Sequence, residues 1–453
     1  MQEPPRRPRR IAVIGSGIGG LTAAWLLRQL PGNEITLFEQ HARPGMGVFS
    51  VDYTSKGLTT RIDIPTRVFC EGYYPQLFGL LDAIGVRMQA TDHAAAYADA
   101  DGRVFFHYGN VRVLGHSMSY LRPTAGGPRR HAQALRIARD SLNFFTTARR
   151  DVDANDQLRD VTLGEYLDTQ GYSERFIRGI LLPTLSVICT CDYDSVRNYP
   201  ADLVLGYLTS GVMKQGVMRA ELGVEGIVSR LVDGMSLVCG VEVRAITPAS
   251  KNRKEGGGIG YAVQTDDGPS QVFDRIVLAT QAHQAAAIVE SAEPTLAALL
   301  RRVPFERSVM RVHTDASVLP RAWGPWLSPV TYHLPQGAPR PEVTVDMTRA
   351  FSTYKRQQRV FQTWNPLRPV REEDVLAEAR FTRPLVTHDS RRAAAELRRH
   401  QSDGPVVPDL LFCGAYMGDR VPLLEAAVES AVAAAVRLGA RAPWSESASA
   451  DRR

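Results

Sequence analysis

A run of glycines between a β-branched stretch and an apolar, helix-spaced stretch constrains the start of this chain more than any other feature. Residues 11–14 read as a short buried strand. Gly15-Ser16-Gly17-Ile18-Gly19-Gly20 comes immediately after. Leu21, Ala24, Trp25 and Leu27 then recur at helical spacing until Pro31-Gly32-Asn33 breaks the pattern. Residues 34–39 form a second strand. In such a unit Gly15 permits a tight turn, Gly17 lets backbone approach a pyrophosphate, and Gly20 lets helix and strand pack closely. The helix start offers unpaired N–H groups and the positive end of its dipole to phosphates. Glu39, 19 residues past Gly20, closes the second strand and is placed to accept hydrogen bonds from a ribose diol. Strand, helix, second strand and terminal acid agree, so a dinucleotide-binding βαβ unit is expected.

Beyond Gln40 the texture changes. Residues 43–47 form a loop, 77–84 a short helix, and 95–108 a hairpin turning at Asp101-Gly102. Segments 130–149, 163–169, 174–188 and 201–217 read as helices. Strand-like runs return at 237–239, 241–246, 260–265 and 271–280, with 251–258 a charged, glycine-rich loop. Further strands are expected at 309–314, 343–347, 359–364 and 410–413, and a helix at 425–438. The cofactor domain is therefore expected in three parts (11–80, 221–290 and 406–440). A second domain is inserted twice, as a mostly helical 81–220 and then 291–405. A basic leader (1–10) and a tail (441–453) are expected to be solvated.

Half of the formal charge of +6 sits in that leader, so the body does not call for a nucleic-acid partner. No uninterrupted apolar stretch is long enough for a transmembrane helix. Peripheral membrane contact stays open. Five cysteines, odd in number and mostly among apolar residues, point to a reducing, cytoplasmic setting rather than a disulfide framework. Cys189-Thr190-Cys191 lacks zinc-site spacing, and no metal is expected.

The glycine motif alone does not separate NAD from FAD. Segments further along the chain do. Arg43-Pro44-Gly45-Met46-Gly47 resembles the R-x-G-G turn of the flavin amine oxidase superfamily. Val241-Glu242-Val243-Arg244-Ala245-Ile246 is similar to that superfamily's adenine-contacting strand, and Arg275 to Ala279-Thr280 to its next strand. Gly414-Ala415, with Leu424-Glu425-Ala426 after it, resembles its closing strand and helix. Short segments such as Tyr199-Pro200-Ala201, His313-Thr314-Asp315 and Gly414-Ala415-Tyr416 are similar to amine-oxidase-like flavoproteins associated with cyclopropane fatty acid synthases. The resemblance implies an α/β fold: a Rossmann-type FAD-binding domain with an inserted α+β substrate domain. It also implies non-covalent FAD. Gly15, Ser16, Gly17, Ile18, Gly19, Gly20, Glu39, Gln40, Arg43, Gly45, Met46 and Gly47 would serve the ADP half. Val243, Ala279 and Thr280 would line the adenine side, and Gly414, Ala415, Leu424, Glu425 and Ala426 the isoalloxazine end. The last helix would aim its positive end at a ring that gains negative charge on reduction.

Met46, Pro65, Ala426 and Ala431 replace glycines of the family pattern, and each is expected to crowd the cofactor; overpacking typically costs about 1–3 kcal/mol. Ser308, or Arg307 in a register shifted by one, stands where many amine oxidases carry lysine. Candidate proton-transfer groups are Tyr416, His313 and Tyr332, with His333 and His388 as further histidines. Each has an ordinary structural reading as well. Three readings remain. One is an FAD-dependent oxidoreductase acting on a small apolar, acyl-like substrate by desaturation or redox-neutral double-bond isomerisation. The second is an amine or amino-acid oxidase releasing peroxide. The third is a non-catalytic dinucleotide-binding protein.

Overall fold

The computed structural model describes residues 8–445 except 48, 71, 114–115, 124–126, 155, 213–215, 250–259, 321–326, 355–358 and 404–407. The expected loop at 251–258, most of the leader and most of the tail lie outside the described residues.

A five-stranded parallel sheet organises the chain. β1 (Arg9–Ile14) lies at its centre, between β2 (Asn33–Glu39) and the strand Arg275–Leu278. Ser236–Cys239 extends the sheet beyond β2, and Leu410–Phe412 extends it on the other side. Both faces of β1 are covered, which explains its unbroken apolar run. Ile11 and Val13 pack with α1 (Ile18–Arg28) and the terminal helix Leu424–Arg437. Ala12 and Ile14 pack with helices Ala282–Val289 and Pro294–Arg301 and with a three-stranded antiparallel sheet, Val243–Ala249, Gly260–Thr265 and Gln271–Phe273.

Residues 271–280, expected as one strand, divide at Asp274. Its N–H donates to the Arg10 carbonyl (2.8 Å), and its carboxylate accepts the Arg10 N–H (2.7 Å). That exchange lets the chain leave the small sheet and join the parallel one.

A second, eight-stranded sheet draws on both inserted segments. Its order is Val375–Pro384, Phe305–His313, Phe361–Trp364, Glu342–Asp346, Val330–Leu334, Ala95–Asp99, Val104–Val113 and His116–Leu121. Ala95–Asp99 runs parallel to Val330–Leu334, which joins the two segments in one sheet. Two further elements differ from expectation. β3 (Phe49–Ser55) and β4 (Leu58–Ile64) form a hairpin closed by Lys56 and Gly57, both at positive φ as a two-residue turn of primed type requires. Of the stretch 201–217, Ala201–Tyr207 is α-helical. A π-helical turn at Leu208–Val212 comes next, in which Gly211 reaches φ 97°, and Val217–Ala220 is a strand.

α2 (Pro75–Ala83) begins without a side-chain cap of its own. Glu425, fully buried in the first turn of the terminal helix, supplies one from a distant part of the chain. Its two carboxylate oxygens accept the N–H groups of Gln76 and Leu77, each at 2.9 Å. The carboxylate thereby meets the positive end of α2. Glu425→Ala removes both acceptors and leaves buried donors unpaired. The expected loss is about 2 kcal/mol, read as a lower midpoint in urea denaturation, with Glu425→Gln falling between the two.

Candidate functional site

Two cavities flank the ends of α1 and the terminal helix. The first, about 1080 Å³, is built on the glycine turn: Gly15, Ser16, Gly17, Glu39, Gln40, Arg43, Gly45 and Gly47 line it on one side. Val243, Ala279 and Thr280 line it as well. Gly15 takes φ 102°. Gly17 caps α1 without any side-chain acceptor, so the first N–H groups have no side-chain partner. The Thr280 hydroxyl is buried and unpartnered.

Glu39 is almost buried, and its carboxylate is held in place by the turn it faces. One oxygen accepts from the Ser16 N–H (2.9 Å) and hydroxyl (2.5 Å), the other from the His41 N–H (2.8 Å). The oxygen that accepts from His41 keeps lone-pair capacity for a further donor.

Other motif residues act in packing and do not reach this cavity. A Cβ on Gly20 would lie 1.9 Å from the Gly15 carbonyl oxygen, and one on Gly19 would lie 3.2 Å from the Ala427 carbonyl oxygen. Those two hydrogens let α1 sit against the turn below it and cross the terminal helix closely. Ile18 is buried in the core. Met46, expected to crowd the cofactor, adopts a left-handed conformation (φ 55°), donates its N–H to the Ser16 carbonyl (3.1 Å) and buries its side chain in the core.

The second cavity, about 400 Å³, lies where the terminal helix begins. Pro65 and Thr66 after β4, Leu423 and Leu424 at the helix start, and Tyr332, Met310 and Trp364 from the eight-stranded sheet line it. Leu423 caps the terminal helix with no side-chain acceptor. This cavity combines an uncapped helix start with a largely apolar wall.

The other expected isoalloxazine-end residues lie off both cavities. Glu425 serves α2. Gly414 exchanges hydrogen bonds with the Ser430 hydroxyl (2.9 and 3.0 Å). Ala415 packs against the main core. The methyl group of Ala426 faces Gly418, where a Cβ would stand 2.7 Å from it, so the second glycine makes room for the alanine. Ala431 is also fully buried.

Among the candidate proton-transfer groups, Tyr332 is the one that lines either of these two cavities; it stacks on Tyr97 with ring centroids 4.4 Å apart. Tyr416 turns into the core, its hydroxyl unpartnered and burial pushing its pKa up. His313 is fully buried and bonds Thr363 through Nε2 (2.8 Å), away from both cavities. His333 and His388 line neither.

Ser308 is buried and donates to the Thr190 carbonyl (3.2 Å), so that strand presents Met310 to the cavity instead. Sequence reasoning missed His93, which does line it and whose pKa burial lowers to about 4. Asp92-His93 belongs to no motif, and only the tertiary fold brings it there.

Comparison with known proteins agrees with this geometry. The family description NAD(P)-binding Rossmann-like domain matches residues 13–84. No curated protein matches the chain. Among solved structures, the CLA-producing fatty acid isomerase from P. acnes superposes with a TM-score of 0.65 at 14% identity, covering 95% of this chain and 99% of that one. Cyclohexylamine oxidase from Brevibacterium oxydans IH-35A gives 0.62 at 14% identity, with the same coverage. Putrescine oxidase bound to putrescine gives 0.59 at 14%, covering 96% and 100%. The chain has the flavin amine oxidase fold.

Gly20→Ala drives a methyl group into the Gly15 carbonyl and is expected to displace α1, at about 1–3 kcal/mol or more. Gly206→Ala, whose new methyl meets nothing within 4 Å, is expected to be neutral or stabilising. Thermal melting of the two variants beside the parent checks both.

Proposed function

We propose that the chain is an FAD-dependent oxidoreductase that acts on an apolar, acyl-like substrate by desaturation or redox-neutral double-bond isomerisation. One observation carries the reading: two helix starts without side-chain caps open onto two cavities, the first lined by the glycine turn and Glu39, the second mainly by apolar side chains of the large sheet and the terminal helix. The residues present fit the cofactor. The first cavity has the size and the unsatisfied donors for a dinucleotide, and the Thr280 hydroxyl there lacks a partner.

Gly15, Ser16, Gly17 and the first turn of α1 would hold the pyrophosphate, with Arg43 beside it. Glu39 would accept from the ribose and Val243 would meet the adenine. Leu423 and Leu424 would bring the start of the terminal helix to the isoalloxazine edge, favouring negative charge there. When bound, FAD supplies a centre that accepts a hydride and can return it. The apolar wall of the second cavity excludes water and orients the reacting carbon.

Two features weigh against an amine oxidase. Among the described residues lining the second cavity there is no lysine, and no carboxylate to attract a protonated amine. No helix among the described residues is long and apolar enough to cross a membrane, so a lipid-like substrate would be taken from solution or from a membrane surface.

The purified protein is expected to be yellow and to release FAD on heating, close to one per chain by chromatography. A colourless protein that takes up no FAD on reconstitution would overturn the assignment. Incubation with unsaturated acyl compounds is expected to yield a product of unchanged mass (isomerisation) or one lighter by two hydrogens (desaturation). Amines are expected to release no peroxide.

A further inference from the structure

Among the described residues, the walls of the second cavity carry positive charge and no carboxylate. Arg67, in the segment after β4, and Arg383, near the end of Val375–Pro384, both line it. Neither has an ion-pair partner among the described residues, and the Nε of each is buried without an acceptor. The acids nearby are engaged elsewhere. Asp63 accepts from the Arg219 guanidinium (3.2 Å) and the Val224 N–H (3.0 Å). Glu306, cross-strand from Arg383, pairs with Arg340 at 2.6 Å. Arg383 lies over the Phe381 ring at 5.3 Å.

Burial lowers the pKa of both arginines, that of Arg383 to about 10, and Arg67 also senses the charge of Arg383. A guanidinium nonetheless stays protonated inside a protein. Two such charges buried together without a counter-ion are costly. They make sense where a ligand brings the anion, because a planar guanidinium matches a carboxylate with paired hydrogen bonds. Much of the remaining wall is apolar, with Val187, Ile188, Met310, Trp364 and Leu424 among its residues.

We propose that Arg67 and Arg383 bind the carboxylate of an amphipathic substrate whose apolar chain fills the second cavity. The proposal rests on the reading of that cavity as the substrate side of a flavin site, and narrows the substrate from acyl-like to a free acid. An anchored head group would also set which carbon along the chain reaches the reacting centre, so the arginines are specificity-determining residues.

Calorimetric titration of the purified protein with dodecanoate, methyl dodecanoate and dodecylamine tests it. The acid is expected to bind about tenfold or more tightly than its ester, the equivalent of one charge-assisted hydrogen bond, and the amine not at all. Arg67→Gln and Arg383→Gln are each expected to weaken the acid about tenfold, with ester binding and FAD per chain unchanged. Equal affinity for acid and ester, or no binding of dodecanoate, overturns the proposal. So does a variant that loses FAD yet keeps its affinity for the acid, since the arginines would then belong to the cofactor. If a variant fails to fold, the acid–ester comparison on the parent decides. A protein without FAD that still prefers the acid would sink the flavin reading and leave the arginine site standing.

Discussion

The approach of Gly20 to the Gly15 carbonyl, a hydrogen atom against backbone, sets where α1 begins, and the rest of the nucleotide side depends on that placement. It fixes the direction of the unpaired N–H groups at Gly17, the reach of Ser16 to Glu39, and the close crossing of α1 and the terminal helix at Gly19. A methyl group at either glycine would separate surfaces that meet through backbone alone, and buried surfaces have little slack to absorb it. The same helix crossing places the start of the terminal helix at the second cavity, so one contact positions both ends of the site.

The nucleotide side was legible in the sequence because its signals are local. Residues 11–14 and Leu410–Phe412 are continuous apolar runs, and four glycines fall within six residues of the end of β1. The β3–β4 hairpin was not legible. Phe49, Val51 and Tyr53 alternate with polar residues in β3, but the strands are rich in Ser, Thr and charged residues and largely exposed, so no apolar run marks them. The replacements of family glycines misled for a different reason. Ala426 is accommodated by Gly418, eight residues earlier, and Met46 turns its side chain inward through an uncommon backbone conformation. Both adjustments depend on which way a side chain points, which spacing alone does not reveal.

The second cavity was illegible for a deeper reason. Arg67, His93, Thr184, Trp364, Arg383 and Leu424 come from six separate stretches of chain. No stretch has a pattern of its own, and the charge balance that defines the cavity is a property of the assembled walls. His313 and Tyr416 illustrate the converse: residue types suited to catalysis that the fold commits to buried structural positions.

The bond from Glu425 to the start of α2 spans about three quarters of the chain. A ribosome making this protein therefore holds an unfinished nucleotide domain until residues 410–437 emerge, with one edge of the parallel sheet unpaired and α2 lacking its carboxylate. The second cavity does not have its final walls before then. Nascent chains therefore carry an exposed sheet edge through most of translation.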